Sequence, residues 1–123
     1  MAESPKKLVK RILEVIDDKI GEDTSVIDLE SVSTIADYFV LTNGESLRQT
    51  KVLADEIIEQ LEEDGIFLRN KEGYQTGKWI LLDYGDIVVH IFEKETREFY
   101  DLEKIWQDAK IISVTEGKPD TPL

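Results

Sequence analysis

Cysteine is absent from this 123-residue chain, and histidine occurs only once. The absence of cysteine excludes disulfide bonds and thiolate metal ligands. A zinc site built only from protein side chains is not expected with a single histidine. No apolar run approaches the ~20 residues that a membrane-spanning helix needs. The sequence therefore predicts no bound metal, no cofactor and no insertion into a membrane.

Basic residues are also scarce, with 15 Lys and Arg against 27 Asp and Glu and a formal net charge of −12. Direct nucleic-acid binding depends on neutralising phosphates with Lys and Arg, so we expect little or none of it. An acidic surface speeds the encounter with a basic protein partner. Solubility alone explains the same charge equally well.

The length suits one compact domain, which we place at residues 1–112, followed by a disordered tail at 113–123. The N-terminal residues lack the pattern of a signal peptide, so a cytoplasmic protein is expected. Hydrophobic periodicity interleaves helices with strands, which indicates an α/β fold with a mixed sheet. The predicted helices span 5–20, 46–64 and 94–109, and the strands or extended pieces span 24–30, 36–44, 66–77, 78–83 and 86–92.

The strongest local signal is a β-hairpin in the segment "LLDYGDIVVHIF", residues 81–92. A two-residue turn at Tyr84–Gly85 would pair Asp83 with Asp86 and Trp79 with His90. Directly opposed residues point to the same face of a sheet. One face is then wholly apolar and belongs to the core, whereas the other face is mixed and carries Trp79, Leu81, Asp83, Asp86, Val88 and His90.

The mixed face raises the question of catalysis, because two carboxylates accompany the single histidine. Asp86 lies about 13 Å from His90 along an extended strand, at roughly 3.3 Å per residue, which is too far to orient its ring. His90 is therefore either a packed side chain or one that faces a partner. The two aspartates either frame the turn or await a cation, and Trp79 is either an interface anchor or is covered by a helix.

Two longer motifs carry a family resemblance. The chain resembles the Iojap-type family of ribosomal silencing factors over about residues 6–109. The resemblance rests on the motif W-x-x-x-D-x-G-D-x-x-V-H-x-F, which is followed by R-x-x-Y-x-L-E-x-x-W. The matching residues are Trp79, Asp83, Gly85, Asp86, Val89, His90, Phe92, Arg97, Tyr100, Leu102, Glu103 and Trp106. One departure from the family pattern is Asn43, which stands where a threonine usually precedes Gly44.

The resemblance implies an α/β/α sandwich with a mixed sheet of about five strands, similar to nucleotidyltransferase domains. It implies a translational repressor and not an enzyme. Such a protein binds the large ribosomal subunit through its ribosomal protein fourteen, blocks joining of the small subunit, and lowers translation when nutrients are scarce. On this basis we predict that the partner-binding residues are Glu72, Trp79, Asp83, Tyr84, Asp86 and His90.

Two alternatives remain. A magnesium-dependent, nucleotidyltransferase-like enzyme would use a Gly-Ser turn at a helix start, such as Gly44–Ser46, and closely spaced carboxylates. Asp101 and Glu103 have the close spacing, but they fall on the predicted last helix, far downstream of that turn. The sequence also leaves open a homodimer through the apolar strands and Trp106, which could compete with the ribosomal partner.

Overall fold

The computed structural model describes residues 4–123; residues 1–3, which the sequence assigned to the domain, lie outside the described residues. The elements in chain order are α1 (Pro5–Asp18), β1 (Glu22–Asp28), β2 (Tyr38–Gly44), α2 (Leu47–Glu63), β3 (Asn70–Glu72), β4 (Trp79–Asp83), β5 (Ile87–Glu93), α3 (Lys94–Tyr100), α4 (Leu102–Ile105), β6 (Lys110–Thr115) and β7 (Lys118–Pro119). None of the helices in this part of the chain is long and apolar enough to cross a membrane.

The strands form one mixed sheet in the order β3-β4-β5-β2-β1-β6-β7. β2 and β5 pair in parallel, and the other neighbours are antiparallel. The prediction of an α/β fold with a mixed sheet is confirmed, but the predicted number of five strands is wrong. Two further strands, β6 and β7, lie after the predicted last helix, mostly in the segment that the sequence assigned to the tail. The likeness to nucleotidyltransferase domains stays a prediction.

Helices lie on both faces of the sheet, which gives the molecule two apolar layers. α1 and α2 pack on one face, where Val40, Ile80 and Val89 are fully buried. The other face holds a smaller cluster around Phe39 and Leu102, covered by α3 and α4. Adjacent strand residues point to opposite faces, so each buried strand contributes to both layers.

The first two helices begin where the sequence predicts. Ser4 caps α1 by accepting a hydrogen bond from Lys7 N–H at 3.3 Å. Ser46 caps α2 by accepting from Gln49 N–H at 3.1 Å, and the Gln49 side chain in turn accepts from Glu45 N–H at 2.7 Å. These contacts satisfy backbone donors that a helix N-terminus leaves free.

The predicted helix at 94–109 is wrong as a single element. It is broken at Asp101, whose φ of 45° and ψ of 64° are left-handed and end α3. The chain restarts as the single turn α4 and leaves it at Trp106. Helical periodicity continues through the segment, but periodicity alone does not show a one-residue reversal of the backbone.

The predicted disordered tail from residue 113 is corrected by the structure. β6 continues to Thr115 and pairs with β1, with Ile112 opposite Val26. The chain then reverses into β7, and Asp120 N–H donates to the carbonyl of Ser113 at 2.8 Å. Alternation within β6 buries Ile112 and leaves Ile111 exposed. This alternating pattern is too short, and too close to a polar C-terminal segment, to predict a strand from the sequence.

Candidate functional site

The hairpin of β4 and β5 forms as predicted, but its register is shifted by two residues. Tyr84 N–H donates to the carbonyl of Ile87 at 2.9 Å, so the turn residues are Gly85 and Asp86. Asp83 Oδ1 accepts from Gly85 N–H at 2.7 Å, and Gly85 has a φ of 90°. A left-handed position favours glycine, and the aspartate side chain stabilises the turn that follows it.

The shift changes the partners across the hairpin but not the faces. Trp79 lies opposite Phe92, Leu81 opposite His90, and Asp83 opposite Val88. The predicted pairs Asp83–Asp86 and Trp79–His90 are therefore wrong. The division into an apolar face and a mixed face is right because a shift of two preserves the alternation of the strands.

Part of the mixed face is left uncovered at the edge of the sheet. α3 packs over β5 and β2 and meets β4 at the ring contact between Tyr100 and Trp79, whereas Asn70 and Glu72 of β3 are exposed. Glu72 on β3 pairs with Leu81, and Asn70 pairs with Asp83. We call this surface the edge face; it consists of Asn70, Glu72, Trp79, Leu81 and Asp83, of which Trp79, Leu81 and Asp83 are half-buried and the other two are exposed.

The Trp79 ring is held in place from three sides. It stacks on Phe92 with ring centroids 5.0 Å apart, and it lies 4.8 Å from the ring of Tyr100. Its Nε1 donates a hydrogen bond to Nδ1 of His90 at 3.0 Å. The indole thus presents one side to solvent in a fixed orientation, which lowers the entropy that a partner would lose on contacting it.

His90 is a buried packing residue, not an exposed ligand. It is 4% exposed and contacts Phe39, with ring centroids 4.6 Å apart. Burial lowers the pKa of His90 to about 4, because an apolar site disfavours the charged ring. Its Nε2 has no hydrogen-bond partner within residues 4–123, and no carboxylate there bonds to either ring nitrogen. This answers the question of catalysis for His90: the geometry gives it a structural role.

The two aspartates of the motif lie in different surroundings. Asp83 belongs to the edge face, whereas Asp86 is exposed in the turn. The carbonyl of Asp86 accepts from the N–H groups of Asp37 and Tyr38, at 2.7 and 3.1 Å, which fixes the turn to the start of β2. The pKa of Asp37 is raised by burial and by the nearby charges of Asp86, Glu30 and Asp28. This end of the sheet is therefore strongly acidic.

Tyr84 does not reach the predicted interface. Its side chain points to the opposite face of the sheet and joins the core beneath α1 and α2. It is 8% exposed, and within residues 4–123 its hydroxyl has no hydrogen-bond partner. Burial raises the pKa of Tyr84 well above the ordinary value. The structure thus leaves four of the six predicted residues accessible, namely Glu72, Trp79, Asp83 and Asp86.

The second motif is explained by an ion pair that ties α3 and α4 to the sheet. Arg97 donates to Glu103 Oε2 at 2.6 Å, across the break at Asp101. It also donates to Asn43 Oδ1 at 3.0 Å and to Ser25 Oγ at 3.3 Å. Asn43, the departure from the family pattern, is therefore a direct partner of the arginine.

Two features expected of an enzyme are engaged elsewhere. The Ser46 hydroxyl serves as the cap of α2, and Glu103 is paired with Arg97. Among residues 4–123, no group of three His, Asp or Glu side chains is placed to hold a metal ion.

Sequence reasoning missed Phe99 and Tyr100 as surface residues. In a continuous helix over 94–109, Phe99 would lie on the same apolar stripe as Leu102 and Trp106, yet it is 82% exposed, and Tyr100 is 48% exposed. The signal that could have located Tyr100 was its place in the R-x-x-Y motif. Phe99 lies in the last turn of α3, just before the break at Asp101.

Comparisons with known proteins agree with the resemblance seen in the motifs. The model of the family "Ribosomal silencing factor during starvation" matches residues 2–122. A Bacillus subtilis protein named ribosomal silencing factor RsfS is 40% identical over 112 residues, covering 91% of this chain and 95% of the relative. A crystal structure of a Chromobacterium violaceum protein superposes with a TM-score of 0.83 at 30% identity, covering 85% of this chain and 88% of the other. The mouse protein "Mitochondrial assembly of ribosomal large subunit protein 1" is 30% identical over 91 residues, which cover 70% of this chain and 39% of that protein.

Proposed function

Because the chain belongs to the ribosomal silencing factor family, we propose that it binds the large ribosomal subunit and blocks joining of the small subunit. The family description, with its reference to starvation, supports a role in lowering translation when nutrients are limiting. The name of the mouse relative supports the large subunit as the partner. The bacterial relative supports a site of action on ribosomes of the bacterial cytoplasm.

The observation that carries the proposed contact is the edge face. It combines a fixed, half-buried tryptophan with the carboxylates Glu72 and Asp83 at a sheet edge that α3 covers only in part. Tryptophan anchors and charged pairs that lose water on binding dominate the affinity of protein interfaces. A chain of net charge −12 favours a basic protein over bare RNA as the direct contact. The large-subunit ribosomal protein fourteen is the partner proposed for this face.

The proposed mechanism is steric. A 14.1 kDa domain on the joining surface of the large subunit would occupy space that the small subunit must enter. Such a mechanism needs no catalytic group. It requires only that the protein dissociate slowly compared with the encounters of the two subunits, and interface quality controls mainly that dissociation rate.

The test is a joining assay with purified large and small subunits on sucrose gradients. We expect this protein to sediment with the large subunit and to reduce the fraction of joined ribosomes as its concentration rises. If the protein stays at the top of the gradient and joining is unchanged, the proposed function is wrong.

The position of the interface is tested with single substitutions. Trp79→Ala and Asp83→Ala are expected to weaken binding to large subunits, the former about thirtyfold, since a buried anchor contributes roughly 2 kcal/mol or more. Val52→Ala and Glu59→Ala are the controls, because both residues are exposed on α2, which packs on the opposite face of the sheet. Equal binding by all four variants would contradict this placement even if the joining assay succeeds.

The enzymatic alternative gains no support from the residues that the structure describes. Ser46 caps α2 and Glu103 is paired with Arg97, so the structure gives both residues a structural role. Magnesium-dependent ATP turnover by the purified protein would restore that alternative. A homodimer through the edge strand β3 would compete with ribosome binding, and light scattering across a range of concentrations would detect it.

A further inference from the structure

Aromatic rings form a continuous row from the core to the surface at the top of the edge face. His90 lies 5.9 Å from Trp79, Trp79 lies 4.8 Å from Tyr100, and Tyr100 lies 5.1 Å from Phe99, measured between ring centroids. The inner ring is buried, whereas the outer two are 48% and 82% exposed. Exposed aromatics that continue a fixed core row are typical of a surface that contacts a partner.

A cleft opens beside the outer half of this row, between β4 and α3. Trp79, Tyr100 and Phe99 form its aromatic wall, and Glu93 and Glu95 contribute carboxylates from the start of α3. Lys78 is the one basic residue in the lining. It forms no salt bridge with any residue between 4 and 123, so it does not neutralise the two glutamates directly.

The position of α3 explains why the chain does not fill this cleft itself. The left-handed residue Asp101 ends α3 directly after Tyr100, so Phe99 and Tyr100 lie in the last turn of the helix, where they are 82% and 48% exposed. The ion pair between Arg97 and Glu103, with the bonds of Arg97 to Asn43 and Ser25, holds this helix end against β1 and β2. The aromatic wall is therefore carried by a helix end that a side-chain network fixes to the sheet.

We propose that this cleft binds the side chain of an arginine on the partner protein. The inference rests on the proposed function, because it names a contact of the protein that would cover the edge face. A planar guanidinium stacks on aromatic rings and donates several hydrogen bonds to carboxylates, and this cleft offers both kinds of group side by side. Lysine fits less well because its ammonium is compact and holds water more strongly. The lining contains two carboxylates and one lysine, so the cleft has a net negative charge that attracts a cation.

The cleft can be tested without ribosomes, by NMR titration of the ¹⁵N-labelled protein. N-acetyl-arginine amide is added up to tens of millimolar, with N-acetyl-lysine amide and N-acetyl-norleucine amide as matched probes. We expect the Trp79 indole signal, assigned with a Trp106→Phe variant, to shift and saturate with the arginine probe. We expect at least threefold weaker binding of the lysine probe and none of norleucine. Equal shifts for all three probes, or none, would overturn the inference.

Charge substitutions in the lining give predictions of opposite sign. Glu95→Gln is expected to lower the affinity for the arginine probe about threefold. Lys78→Gln is expected to raise that affinity about twofold, because it removes a positive charge from the cleft. Glu59→Gln, on the exposed side of α2, changes the net charge by the same amount as Glu95→Gln and is expected to leave the affinity for the arginine probe unchanged. If the three variants behave alike, the cleft does not bind the guanidinium.

The experiments distinguish a failure of the proposed function from a failure of the cleft inference. If the arginine probe binds but the protein does not sediment with large subunits, the proposed function fails and the cleft remains. If the protein binds large subunits but Glu95→Gln and Lys78→Gln leave both the probe titration and subunit binding unchanged, the cleft inference fails and the proposed function remains.

Discussion

Trp79 and His90 lie diagonally on adjacent strands, and the indole N–H of the first donates to Nδ1 of the second at 3.0 Å. Their places in one sequence motif suggest two exposed contact residues. The structure divides the roles: Trp79 is half-exposed, and His90 supports it from below. Such a buried acceptor also keeps the histidine neutral, since only an unprotonated Nδ1 can accept the bond.

The first prediction concerns this histidine and pH. Its pKa in the folded protein is about 4, below the ordinary 6.5, so the unfolded chain takes up the proton first as the pH falls. The free energy of unfolding should therefore be independent of His90 above pH 6.5 and should fall between pH 6.5 and 4, by about 3 kcal/mol in total.

The measurement is urea denaturation of the parent and of His90→Asn at pH 7.5, 6.5, 5.5 and 4.5. Because the chain has one histidine, the difference between the two proteins isolates its titration from that of the carboxylates. The parent should lose more stability than the variant over this range. A difference that does not change with pH would contradict the prediction.

The second prediction concerns the ion pair that holds the broken helix. Arg97→Met should lower the free energy of unfolding by about 2 kcal/mol, because the half-buried Glu103 loses its charged partner and Asn43 loses its donor. Arg48→Met is the control, since Arg48 is exposed on α2 and should change stability by less than about 0.5 kcal/mol. Denaturant unfolding measures both, and equal effects would show that the ion pair does not anchor α3.

Sequence reasoning assigned the faces of the hairpin more accurately than the pairing of its residues. Alternation in the hairpin assigned the two faces correctly because burial of one apolar face fixes the period of a strand. The partners across the hairpin depend on which two residues form the turn, and the Asp83 side chain bonding to Gly85 decides that locally. The burial of His90 and Tyr84 depends on what packs above each strand, and a motif does not contain that information. Asp101 reverses the backbone without a glycine or proline to mark it.

The third prediction uses two glycines with similar backbone angles. Gly73 and Gly65 have φ values of 75° and 81°. A Cβ on Gly73 would lie 2.0 Å from the carbonyl oxygen of Trp79, whereas a Cβ on Gly65 would meet nothing within 4 Å. Gly65→Ala therefore carries only the conformational cost of about 1 kcal/mol, but Gly73→Ala must also displace the loop from β4.

We expect Gly73→Ala to be the more destabilising variant by at least about 1 kcal/mol in thermal or urea unfolding. It should also weaken binding to large subunits, because the displaced backbone carries Trp79. Gly65→Ala should bind as the parent does. Equal stability of the two variants would show that the loop after β3 yields without disturbing the edge face.

The last prediction tests the C-terminal strands, which the sequence assigned in part to a disordered tail. Ile111 and Ile112 are adjacent on β6 but face opposite ways, with exposures of 41% and 2%. Ile112 belongs to the core cluster on the face of the sheet that α1 and α2 cover, and it lies opposite Val26 of β1. Ile112→Ala should therefore cost about 2–4 kcal/mol of stability, and Ile111→Ala less than about 1 kcal/mol, because only the first leaves a cavity.

Hydrogen exchange extends the test to the following residues: the Asp120 amide, bonded to the carbonyl of Ser113, should exchange more slowly than an unstructured amide. The prediction is contradicted if the two alanine variants have equal effects and the Asp120 amide exchanges without protection. The segment would then be disordered, as its composition suggests.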